Sequence, residues 1–129
     1  MRHWELAPSN PAAFEKANIP FSISSSEMKD PKQFLGNVKK AIQYGLSETK
    51  ALDALTKTPA TQLGVYDQVG SLESGKLANF IITTEPVFAN NAKIIENWVQ
   101  GNKYEINAAE WNNLSGKYKI SINNGTAKT

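Results

Sequence analysis

The chain has 129 residues, of which 40% are hydrophobic and 20% are charged, and its formal net charge is +2. These proportions are ordinary for a globular protein, and so small a charge gives no indication of a polyanionic partner such as nucleic acid. The absence of cysteine excludes disulfides and thiolate metal sites and leaves the cellular compartment open. No apolar run approaches the ~20 residues that a membrane-spanning helix needs, so we expect no membrane partner.

The first half of the chain is predicted to contain three helices. A polar residue followed by proline predicts helices that begin at Asn10 and at Asp30. The second helix carries apolar residues at helical spacing over 31–44, and Gly45 is expected to end it. Ser47 is the predicted N-cap of a third helix.

Residues 20–25 are predicted to form a short strand between the first two helices. This strand has no partner within the same half, which is typical of one βα unit taken from a larger parallel sheet. The alternative is that it pairs with residues 80–83 or with a later strand, which would give a small α+β domain.

The stretch 58–83 is predicted to join the helices to a β part. Thr58 before a proline is the expected N-cap of a short helix, and Gly64 is expected to end that helix. Glycines at both ends of 70–75 predict a tight turn, and the apolar residues at 78–82 predict a buried strand.

The second half of the chain is predicted to be β throughout. Residues 94–99 and 103–106 are expected to form a hairpin whose two-residue turn is Gly101-Asn102. Strict apolar alternation over 117–122 predicts a further strand. Asn124-Gly125 is a strong hairpin signal, yet too few residues follow it to pair, so we expect the β part to be incomplete at its C-terminal end.

Two patterns in the stretch 58–83 resemble the C-terminal signature of the amidohydrolase superfamily, the imidazolonepropionase- and dihydroorotase-like metal hydrolases. The family's N-P-A-x-x-L-G corresponds to TPATQLG at 58–64. Its I-G-x-I-x-x-G-K-x-A-D, followed by a hydrophobic residue, corresponds to VGSLESGKLANF at 69–80, where Asn79 replaces the usual aspartate. The two patterns resemble those of the family both in their order along the chain and in the spacing of their residues.

The resemblance implies an α/β fragment. Residues 1–64 would be the last βα unit and terminal helices of a TIM-like barrel, and residues 65–129 would be strands of a small β-sandwich domain. In the family that domain is composite, because it is built partly from the start of the chain and partly from its end. A whole TIM barrel needs about 200–250 residues, so a complete one cannot be present. Taken as an isolated domain, the chain would be α+β.

The resemblance also implies a hydrolase that uses a zinc-like divalent metal to attack C–N bonds of a small-molecule substrate such as a cyclic amide or imide. In the family, an aspartate at the end of the last barrel strand is both metal ligand and base. Its position falls at Ser26 here, and a serine hydroxyl is a poor ligand and no base near neutral pH. Glu27 would point to the other face of the strand, and Asp30 already has a structural role as N-cap. We therefore expect no catalytic, cofactor-binding or metal-binding residue in this chain.

Other candidate sites are weak. His3 is the only histidine, and one imidazole cannot supply the roughly three protein ligands of a catalytic zinc site. Aromatic residues lie among lysines in the β half, at Trp98, Tyr104, Trp111 and Tyr118. This pattern predicts a sheet with an aromatic face and a solvated lysine face, and no nucleic-acid partner.

We interpret the sequence as the C-terminal portion of an amidohydrolase-like protein whose main partner is the remainder of the parent barrel. The chain alone is expected to be inactive. The alternatives are a degenerate, non-catalytic scaffold and a stand-alone α+β interaction module. If the chain is a fragment, it should expose apolar surface, and we then expect it to form homo-oligomers or to be poorly soluble.

Overall fold

The structure, a computed structural model, describes residues 3–107, with the backbone alone for residues 3–5. Helices occupy the first half of this range and an antiparallel sheet the second half. The helices are two 3₁₀ segments, His3–Ser9 and Pro31–Gln33, and α1 (Asn10–Lys16), α2 (Phe34–Gln43), α3 (Glu48–Leu55) and α4 (Lys57–Gln62). The sheet has the strand order β1-β2-β3, with β1 at Phe80–Thr83, β2 at Ile94–Val99 and β3 at Asn102–Glu105.

The predicted caps at Asp30 and Ser47 form, but the predicted cap at Asn10 is wrong. The 3₁₀ segment His3–Ser9 runs directly into α1, so Asn10 is already the first residue of the helix and Ser9 occupies the capping position without a side-chain hydrogen bond.

The Asp30 side chain accepts a hydrogen bond from the Lys32 backbone N–H at 3.0 Å, at the start of the 3₁₀ segment that leads into α2. The Ser47 hydroxyl accepts one from the Lys50 N–H at 3.1 Å at the start of α3. Both contacts satisfy N–H groups that have no partner inside the helix. After α2, Gly45 adopts a positive φ of 104°, the conformation expected of a helix stop.

The predicted N-cap at Thr58 is wrong. The helix α4 begins at Lys57, so Thr58 lies inside it, and Thr56 is the capping position. The physical reason is that α3 ends at Leu55, so that Thr56 is both the C-cap of α3 and the N-cap of α4. Its hydroxyl donates to the Leu52 carbonyl at 2.7 Å, and its carbonyl accepts from the Ala60 N–H at 3.3 Å.

The predicted strand at 20–25 is also wrong, because these residues form no ladder in the described structure. The Ile23 N–H donates to the Ala54 carbonyl of α3 at 3.1 Å instead of to another strand. Phe21 and Ile23 pack against the helical core. The alternative pairing with Phe80–Thr83 is absent as well, since within the described sheet that strand bonds to β2 alone. The backbone of a strand must hydrogen-bond to a second extended segment, and residues 20–25 have no such segment beside them in the described structure.

The β2–β3 hairpin forms as predicted, but its turn is Gln100-Gly101 and not Gly101-Asn102. Asn102 already pairs with Val99 as the last pair of the ladder. Gln100 has a φ of 52° and Gly101 a φ of 79°. A two-residue turn that follows the twist of the strands needs positive φ at both central positions, which fixes the turn one residue earlier than predicted.

The core lies among α1, α2 and α3 and is built mainly from small side chains. Its buried members are Ala12, Val38, Ala41, Leu46 and Ala51, together with Phe88 from the segment between β1 and β2. Larger apolar side chains remain exposed, among them Leu63 at 77% and Leu72 at 72%. Among the helices described, none has the length and apolar character needed to cross a membrane.

Part of the predicted β half lies outside the described residues. This applies to the strand at 117–122, to the Asn124-Gly125 turn, and to Trp111 and Tyr118.

Glu96 links β2 to β3 through its carboxylate. The Lys103 ammonium donates to Oε1 at 2.8 Å and the Trp98 indole N–H donates to Oε2 at 2.8 Å. The hydrogen bond from Lys103, followed by that from Trp98, lowers the pKa of Glu96 below its ordinary 4.5.

A carboxylate whose pKa is lower in the folded state stabilises the fold above pH 4.5, and the stabilisation disappears as the pH falls through the folded pKa. We expect Glu96→Gln to flatten the loss of melting temperature below pH 4.5, and Lys103→Met to flatten it in the same way. Some loss of melting temperature should remain below pH 4.5 in both variants, because hydrogen bonds from Ser47 also lower the pKa of Glu15. Thermal unfolding measured against pH tests this, and an unchanged acid slope in both variants would contradict it.

Candidate functional site

The position at which the family pattern places its metal-binding aspartate is an exposed turn. Ser26 is exposed, and its backbone N–H donates to the Ser24 hydroxyl at 3.0 Å. The Met28 N–H donates to the Ser25 carbonyl at 3.2 Å, which closes the turn. Glu27, inside this turn, has a φ of 61°. The turn is therefore held by local hydrogen bonds.

The oxygen donors near Ser26 do not fit a divalent metal. Both Asp30 oxygens are engaged, one by the Lys32 N–H and the other by the Gln33 amide at 3.2 Å. The remaining donors are serine hydroxyls and the exposed Glu27 carboxylate, which fall short of the three protein ligands of a catalytic zinc site. No cluster of three or more His, Cys, Asp or Glu suited to a metal occurs in the part of the chain that the structure describes. The side chain of His3 lies outside that part.

The family segment after α4 is organised by the close approach of Gly70 to that helix. Gly70 has a φ of 95°, and a Cβ built on it would lie 2.7 Å from the Ala60 Cβ and 3.1 Å from the Thr56 carbonyl oxygen. Only a residue without a side chain fits there, both for its backbone angle and for the space available. This explains the first glycine of the pattern.

Lys76, the lysine of the G-K pair, has a largely covered side chain and a structural role that sequence reasoning missed. Its ammonium lies 3.5 Å from the centroid of the Tyr66 ring and donates to the Ser71 hydroxyl at 2.6 Å. It also pairs with the Glu73 carboxylate at 3.3 Å, and this contact with Lys76 is the largest cause that lowers the pKa of Glu73. The side chain of Lys76 is only 8% exposed, so these partners replace the water contacts that its ammonium loses. The G-K pair in the sequence does not indicate that Lys76 contacts the Tyr66 ring.

Asn79, which replaces the aspartate of the pattern, holds the hairpin turn of the sheet. Its side-chain oxygen accepts from the Gln100 N–H at 2.7 Å, and the Ala78 carbonyl accepts from the Gly101 N–H at 3.1 Å. Aspartate and asparagine both offer this oxygen, so the replacement keeps the contact. The position is structural in this fold.

The aromatic residues of the sheet pack against each other or face solvent. Phe80 and Trp98 are paired across β1 and β2, and their rings stack with centroids 5.3 Å apart. Tyr104 on β3 is 54% exposed. Trp98 pairs with Lys103 and Tyr104 pairs with Asn97, so the two aromatic residues lie on opposite faces of the sheet. The prediction of one aromatic face and one lysine face is therefore wrong for the described strands.

Comparison with known proteins gives the chain its family. The sequence model of the amidohydrolase family matches residues 10–105. The chain belongs to the amidohydrolase family. No curated protein matches it.

Two solved structures are similar to the chain. An amidohydrolase from Thermotoga maritima MSB8 aligns with a TM-score of 0.71 at 24% identity, over 77% of this chain and 26% of that one. This likeness shows a shared fold, and the chain spans about a quarter of that structure. An N-acetylglucosamine-6-phosphate deacetylase from Pasteurella multocida aligns with a TM-score of 0.47 at 27% identity, over 56% of this chain and 18% of that one.

The contact at Gly70 can be tested against a second glycine of the same segment. Gly75 has nearly the same φ, 91°, but a Cβ there would meet nothing within 4 Å. Alanine is strained by the backbone angle at both positions, so the difference between the two variants isolates the clash. We expect Gly70→Ala to lower the free energy of unfolding by about 1–3 kcal/mol more than Gly75→Ala, as overpacking does. If denaturant unfolding shows the same loss of unfolding free energy in both variants, residue 70 does not clash with α4 and the expectation is contradicted.

Proposed function

We propose that this chain is the C-terminal portion of a metal-dependent hydrolase that acts on C–N bonds, such as those of cyclic amides or imides. Family membership over residues 10–105 supports this. The observation that carries it is the coverage: a fold shared over 77% of this chain accounts for only 26% of the Thermotoga amidohydrolase. The remainder of the parent protein is then the main partner of the chain.

In this proposal residues 1–64 are the last βα unit and terminal helices of a TIM-like barrel, and residues 65–129 belong to the composite β domain. The change from helices to strands after Gly64 supports the division.

The metal and the substrate are assigned to the rest of the parent barrel. The family position for the metal-binding aspartate is Ser26, and the donors around it do not make up a metal site. A zinc-like ion in the parent would therefore be held by residues outside the described chain. The chain on its own is inactive in this proposal.

Restoring the missing carboxylate tests the assignment of Ser26. In the full-length protein, Ser26→Asp should raise the zinc or manganese content and increase kcat/KM on cyclic amides by about 100-fold or more, the range that a general base contributes. Ser25→Asp is the matched control, because it adds the same charge one position away and should change neither quantity. Elemental analysis and assays on a panel of cyclic amides, imides and dipeptides provide the measurement.

Two outcomes would overturn the proposal in different ways. If the full-length protein holds no metal and hydrolyses nothing, with or without Ser26→Asp, the parent is a non-catalytic scaffold. If Ser25→Asp and Ser26→Asp act alike, the family position has been assigned to the wrong residue.

A further inference from the structure

An apolar groove of about 970 Å³ lies between the helices and the sheet. Leu52 and Leu55 of α3 line it on one side, and Ile81 of β1 and Val99 of β2 line it on the other. The three described strands contain no buried residue. The sheet is therefore not packed into a core through its strands, and other segments must hold it to the helices.

The segment that connects β1 to β2, residues 84–93, is one such attachment. Its Phe88 is only 8% exposed and belongs to the buried core of the helices, and Val87 packs against that core. The Lys39 ammonium on α2 donates to the Ala89 carbonyl at 2.7 Å. The connection thus places one aromatic side chain in the helical core and fixes the backbone beside it with a hydrogen bond. Phe88 and Val87 also line the groove.

The second attachment lies at the opposite end of the sheet. There the Asn79 side-chain oxygen accepts from the Gln100 N–H at 2.7 Å, which ties the hairpin turn to the loop that packs on α4 through Gly70. The connection 84–93 begins after Thr83, at the other end of β1. A sheet that is held at both ends and carries few buried contacts between them can move as a unit when one end is released.

We propose that residues 84–93 are a latch that keeps the groove narrow. Phe88 in the helical core and the hydrogen bond from Lys39 to Ala89 hold the free end of the sheet against the helices. When the latch opens, the sheet swings about the loop at Gly70 and the groove widens. The ladders of the sheet persist, because their backbone pairs join the strands to each other and not to the latch. This inference concerns a conformational device and does not depend on the proposed hydrolase function.

The distance across the groove tests the latch, and the absence of native cysteine allows specific labelling of the 129-residue chain. Thr49→Cys on α3 and Glu105→Cys near the latch end of β3 place one spin label on each half, both at exposed positions. Pulsed electron paramagnetic resonance then gives the distribution of distances between the labels. We expect one narrow distribution when the latch is intact.

Two variants in the labelled chain weaken the latch. Lys39→Met removes the hydrogen bond to Ala89 and keeps an apolar side chain of similar length, and Phe88→Leu removes the aromatic ring. We expect both variants to broaden the distribution and to shift it to longer distances. Lys40→Met is the matched control, because it makes the same change at the next, exposed position of α2 and should leave the distribution narrow.

Unchanged narrow distributions in Lys39→Met and Phe88→Leu would overturn the proposal, and so would a broad distribution in the chain with an intact latch. If Phe88→Leu fails to fold, Lys39→Met decides alone, because it leaves the core side chains in place. Hydrogen exchange separates movement of the sheet from its unfolding. The amides that form the β1–β2 ladder should remain protected in Lys39→Met, and loss of their protection would contradict motion as a unit.

Discussion

The packing of Gly70 against α4 determines how the helical half meets the sheet. A side chain at this position would collide with Ala60, so the loop can follow the helix surface only because the residue is glycine. The Leu77 N–H then donates to the Gln68 carbonyl at 2.9 Å, and Lys76 lies over the Tyr66 ring. These contacts carry the chain from α4 to β1. The pattern that marks the family is therefore a structural joint in this chain, and its residues are chosen for close packing.

The sequence predicted those features that depend on neighbouring residues. The caps at Asp30 and Ser47 and the stop at Gly45 involve contacts within a few positions, so residue type is sufficient. It failed locally at Thr58, where the end of the preceding helix makes Thr56 the capping position, and it failed where distant parts of the chain decide. Residues 20–25 were predicted to be a strand, but in the described structure they pack against the core beside the helices and have no strand alongside. The turn at Gln100 was misplaced because the Asn79 oxygen that holds it comes from another strand end.

The sequence places the family's metal-binding position at Ser26 and predicts no metal ligand around it, and this assignment stays a prediction. Ser26 lies in an exposed turn closed by its own neighbours, and Asp30 is committed to the start of the next helical segment. The ammonium of Lys76 stands on a side chain that is only 8% exposed, and its partners belong to the joint. The division of roles that we propose follows from this contrast. The chain contributes the joint and the closing elements of the fold, and the remainder of the parent contributes metal and substrate chemistry.

The size of the natural protein tests this division most directly. An antibody raised against residues 48–107, used on extracts of the source cells, would detect every product that carries this segment. The account predicts a band several times larger than 129 residues, in line with the 26% coverage of the Thermotoga amidohydrolase. A single product of 129 residues that is a monodisperse monomer would contradict it, because such a protein would have to be complete without a barrel.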